Sequence, residues 1–90
     1  MSFNAFSHKN IASATTTVVK SGAGVLHSIV INTTAAAAIT IYDNTSAAGT
    51  KIATIAASPV IGSTFMYDVA FSTGLTIVTA GASDITVSYN

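Results

Sequence analysis

"AITIYDNTSAAGTKIATI", residues 38–55, reads as one β-hairpin written out in full. Ile39, Thr40, Ile41 and Tyr42 alternate apolar with polar side chains, and Ile52, Ala53, Thr54 and Ile55 do the same. Between them lies a run of small polar residues with one glycine, the composition of a turn. Working outward, the same period-2 pattern recurs in both directions. Upstream stand "SATTTVVK" (13–20), broken by "SGAG", and "VLHSIVIN" (25–32), whose nearly continuous apolar character marks a central strand. "AAITIYD" and "KIATIAA" (51–57) are the hairpin arms. Downstream, Pro59 and Gly62 mark a connection over 58–63, because proline offers no donor to a central ladder. "TFMYDVAF" (64–71) follows, with Phe65, Tyr67, Val69 and Phe71 on one face and Met66, Asp68 and Ala70 on the other. "LTIVTA" (75–80) and "DITVSY" (84–89) complete the set.

The four alanines at 35–38 favour helix by propensity, but Thr33-Thr34 precede them and β-branched Ile39, Thr40 and Ile41 follow. No window carries a helical stripe. The pattern therefore predicts an all-β chain, an antiparallel β-sandwich of about seven strands. A jelly roll stays open if residues 3–7 or 59–61 add an eighth. Residues 13–90 form the sandwich domain and residues 1–12 an N-terminal arm.

Composition narrows the function. Ninety residues make one domain, and without cysteine it has neither a disulfide nor a thiolate metal site. That absence fits a reducing compartment. Three lysines and three aspartates are the only charges, over a surface of roughly 4,900 Å² expected from the mass. Such sparse charge, with none in excess, lets copies approach one another. Edge strands unprotected by lysine would add to that tendency, so the reading expects a homo-oligomer. Three scattered lysines give no phosphate-binding stripe, which argues against nucleic acid. The longest apolar run, Ala35 to Ile39, is too short to span a membrane, and "MSFNAFSHKN" lacks the features of a signal peptide.

Reactive constellations are scarce. No serine sits in G-x-S-x-G, glutamate is absent, and the three aspartates fall on different strands or loops. His27, between Leu26 and Ser28, reads as a sheet histidine satisfied by a neighbour. Asp43-Asn44 reads as a turn former, since its spacing fits no calcium loop. Asp68 reads as solvent-facing. The expectation is a chain that presents a shaped surface, with no enzymatic role, cofactor or metal.

"GVLHSIVINTTAAAAITIYDNTSAAGTKIATI" and "TFMYDVAFSTGLTIVTAGASDITVSY" resemble small β-sandwich proteins encoded among tailed-phage virion structural genes. "IYDNTSAAGTKI" and "YDVAFSTGLTIVTAGASDITVSY" are the most recognisable pieces, and the likeness spans residues 24–89. The resemblance implies a capsid decoration, or cement, protein on the virion surface, made in the host cytoplasm. Its partners would be the major capsid protein and further copies of the chain, commonly as a trimer. The alternative is a host-surface glycan-binding module of a fibre or head appendage, reading its ligand through the loop Asp43 to Thr50. Phe3 and Phe6, two large apolar side chains in a polar arm, are the candidate interface residues that would dock the arm on a neighbouring subunit or on the capsid; the alternative is that the arm adds an edge strand to the chain's own sheet.

Overall fold

The structure, a computed structural model, describes residues 6–90. Among them are eight strands and no helix: β1 (Ser7–Ile11), β2 (Thr15–Ser21), β3 (Gly24–Thr33), β4 (Ile39–Asp43), β5 (Thr50–Ile55), β6 (Thr64–Phe71), β7 (Gly74–Thr79) and β8 (Asp84–Tyr89). They form two four-stranded antiparallel sheets, ordered β1-β8-β3-β6 (sheet A) and β2-β7-β4-β5 (sheet B). One rule generates the pairing. β1 pairs with β8, β2 with β7, β3 with β6 and β4 with β5, as in a single long hairpin. Rolling that hairpin up adds the β3–β8 and β4–β7 pairs. The result is a jelly roll.

The opening hairpin is β4–β5, with Ile39 opposite Ile55 and Thr40 opposite Thr54. The eighth strand is β1, which lies within the segment read as an arm. This is the alternative for the arm, an edge strand on the chain's own sheet; of its sequence, SHKNI, only Ile11 enters the core, opposite Ile85. Residues 59–61 stay in the connection.

Isoleucine dominates the core. Ile29, Ile31, Ile39, Ile41, Ile77 and Ile85 are fully buried, and a β-branched side chain suits a pleated inner face. Each contributes roughly 1.5–3 kcal/mol by leaving water. The sandwich is thin, 41 × 29 × 17 Å overall. Alanine suits its end: Ala35 to Ala38 lie in the β3–β4 connection, against the turn around Gly81. The Ala80 N–H donates to the Ala38 carbonyl at 3.2 Å, and Ser58 N–H to that of Ala35 at 3.0 Å.

The edges correct one expectation. Lysine does guard them: Lys9 lies in edge strand β1, Lys20 in β2 and Lys51 in β5, while the fourth edge, β6, carries Asp68. Lys9 sits opposite Val87 and Lys20 opposite Leu75, both buried core residues. A charge at a core-facing edge position blocks extension of the sheet by another strand. Register shifts beside Val18/Lys20 in β2 and Ile41/Tyr42 in the β4–β5 pair irregularise two of these edges further.

Candidate interaction face

The outer face of sheet A is shaped by an irregularity in β3 and β6. Leu26 and Ile29 are both fully buried although three positions apart, so β3 changes phase between them. Leu26 pairs with Val69 and Ser28 with Met66, leaving one extra residue in β6. Asp68 absorbs it with a left-handed backbone, φ 51°.

That backbone turn aims Asp68 at His27, whose Nδ1 lies 2.5 Å from Asp68 Oδ1. Phe6, just before β1, reaches across the sheet and stacks on the imidazole, with centroids 4.1 Å apart and planes 8° from parallel. Phe6, His27 and Asp68 thus form a row from one edge of sheet A to the other. His27 is a sheet histidine held by a neighbour, and that neighbour, Asp68, faces solvent as expected, its side chain 61% exposed.

Exposed apolar side chains occur on β6, in the turn before it and just before β1. Met66 is 58% exposed, Val60 75%, Ile61 61% and Phe6 42%. Val60 and Ile61 form the tip of a turn closed by Ser63 N–H to the Val60 carbonyl at 3.1 Å, with Gly62 supplying φ 84°. The turn abuts β3, because Gly62 N–H donates to the Ile31 carbonyl at 2.7 Å. It leads directly into β6.

At the Ile31 end of the same face, which this turn abuts, β1, β8 and β3 carry a polar cluster. Asp84 Oδ1 accepts from Asn10 Nδ2 at 2.6 Å and from Asn32 Nδ2 at 3.1 Å, and Asn32 also donates to Thr86 Oγ1 at 3.0 Å. β1, β8 and β3 are therefore laced together by side chains as well as by the ladder.

Asp43 has a role that the sequence reading missed. Asn44 forms the local turn, donating to the Ala48 carbonyl at 2.8 Å. Asp43 turns away and accepts the N–H groups of Ser72 and Thr73 in the β6–β7 turn. Those backbone donors hold its carboxyl below the usual carboxylate range. No local pattern signals this, because the donors lie about thirty residues away.

Of the two candidate interface residues, Phe3 lies outside the described residues, and Phe6 packs one ring face on its own chain's His27. No pocket and no cluster of three or more potential metal ligands occurs among the described residues. No known protein family, curated protein or solved structure matches the chain.

Proposed function

We propose that the chain is a structural virion protein of a tailed phage that decorates the capsid and stabilises it by bridging subunits. In this reading it is not an enzyme. Its partners are the major capsid protein and copies of itself, and its place is the capsid surface after synthesis in the host cytoplasm. A trimer is the arrangement implied by the resemblance.

The observation that carries the reading is the character of sheet A's outer face. Exposed Met66 and Phe6 lie on it, with Val60 and Ile61 exposed in the turn that leads into β6, while its carboxylates are already hydrogen-bonded within the chain. That is a surface for packing against protein. The jelly roll also serves viral capsid domains, which supports the reading by analogy of fold. Glycan binding through the loop Asp43 to Thr50 draws less support. The side chains of Asp43 and Asn44 are turned to internal hydrogen bonds, leaving exposed Thr45, Ser46, Ala47, Ala48, Gly49 and Thr50 to recognise a sugar.

A cryo-EM map of the parent virion tests the proposal. Density for the eight-stranded domain is expected on the capsid, spanning neighbouring capsid subunits. Density confined to the tail or fibres would overturn it.

A further inference from the structure

Five large apolar side chains are exposed among the described residues: Phe6, Val18, Val60, Ile61 and Met66. Val18 lies on β2 of sheet B. Val60 and Ile61 lie in the turn that leads into β6 of sheet A, Met66 lies on β6, and Phe6 stacks on His27 of the neighbouring β3, so that together they follow β6 from that turn to the His27–Asp68 pair. We propose that this strip is the surface through which copies of the chain associate, like strips meeting at the symmetry axis of a homo-oligomer. The inference rests on the self-association in the reading above and not on the capsid.

Three features favour a second copy as the occupant. First, the edges are closed to sheet extension by Lys9, Lys20, Lys51 and Asp68, one on each edge strand. Association must then use a face. Second, the carboxylates on this face have donors at home: Asp68 has His27 at 2.5 Å, and Asp84 has Asn10 at 2.6 Å and Asn32 at 3.1 Å. Covering them with a like surface leaves neither carboxylate without a hydrogen-bond donor. Third, the formal net charge is zero, so copies do not repel at long range.

Size and shape agree. Four strands at about 4.8 Å spacing and roughly 26 Å long give the face a flat area of about 500 Å². With side-chain relief this approaches the ~800 Å² per partner of a standard interface. An apolar line along one rim is what symmetry-related copies bring together at an axis. Neutral Thr64, Thr86 and Ser88 then supply the polar surround.

Light scattering coupled to size exclusion, with the full chain at tens of micromolar, decides the matter. The wild-type chain should run as a multiple of 9.0 kDa. Met66→Asp should run as a monomer with an unchanged β-sheet circular dichroism spectrum, its self-association weakened at least about tenfold. Ile61→Ser, in a turn outside the strands, should weaken association in the same direction and serves if Met66→Asp misfolds. Val18→Asp on the opposite sheet should leave the mass unchanged. A monomeric wild-type chain overturns the proposal. So does a folded Met66→Asp or Ile61→Ser with undiminished association, or a Val18→Asp that dissociates. Capsid binding is measured separately, so an oligomer that ignores capsids would sink only the virion reading.

Discussion

The N–H of Thr73 donates to Asp43 Oδ1 at 2.9 Å, across thirty positions of chain. Ser72 N–H adds contacts of 3.1 and 3.0 Å to the two carboxylate oxygens. One aspartate at the end of β4, in sheet B, therefore fixes the turn by which the chain passes from β6 in sheet A to β7 in sheet B. It is a tie between the two layers.

Asp43→Asn should lower the melting temperature at neutral pH, because a neutral amide accepts these N–H bonds more weakly. The pH dependence has a definite sign. Asp43's folded-state pKa is depressed, so its contribution is present above the usual carboxylate pKa and is lost as pH falls through the lowered folded value. The melting curves of wild type and variant should therefore converge in strong acid. A gap that stays constant across the acid range would mean that the carboxylate charge is irrelevant.

Asp68 combines a left-handed φ of 51° with its contact to His27. Asp68→Ala loses the contact and leaves a Cβ in a conformation that disfavours it. Asp68→Gly also loses the contact but relieves the backbone. The glycine variant should be the more stable of the two by roughly 1 kcal/mol in urea unfolding.

At Gly81, a Cβ would lie 2.9 Å from the Ala37 Cβ and 3.1 Å from the Ala35 Cβ. Gly81→Ala should cost about 1–3 kcal/mol through overpacking. Adding Ala37→Gly should recover part of that loss, and the non-additivity of the double mutant is the measurement. Strictly additive losses would show that the alanine run does not press on this turn.

Burial separates the isoleucines from the exposed strip. Ile77→Ala, at a fully buried site, should cost about 2–5 kcal/mol. Val60→Ala, at an exposed turn tip, should stay within about 0.5 kcal/mol of wild type when the chain is measured dilute. Chemical denaturation of both variants checks the contrast.

These sites also mark where the sequence was legible. β6 and β8 occupy the residues that alternation assigned to them, 64–71 and 84–89, because one face of each is buried and the period of two survives intact. β1 was legible only as an alternative for the arm, because an edge strand with one core residue need not alternate. The irregularity around His27 was invisible for a different reason. It belongs to the pairing of β3 with β6 and β8, and no single strand records it. The four exposed apolar residues were present in the sequence all along. Their placement on and next to sheet A depended on the topology, as did the link from Asp43 to a distant turn.

The rolled-hairpin pairing also fixes an order of events. β4 and β5 are joined by the short loop between Asp43 and Thr50, whereas β1 must find β8 across nearly the whole chain, Ser7 opposite Tyr89. Each pairing that forms shortens the excursion that the next must close, so zipping outward from β4–β5 avoids the entropy of one very large loop. Rate measurements should show it. Ile41→Val, in the hairpin, should slow folding, while Ile11→Val, in β1, should chiefly speed unfolding. The outermost pair is then the last to close and the first to open, and the row from Phe6 to Asp68 is complete only when β1 has arrived.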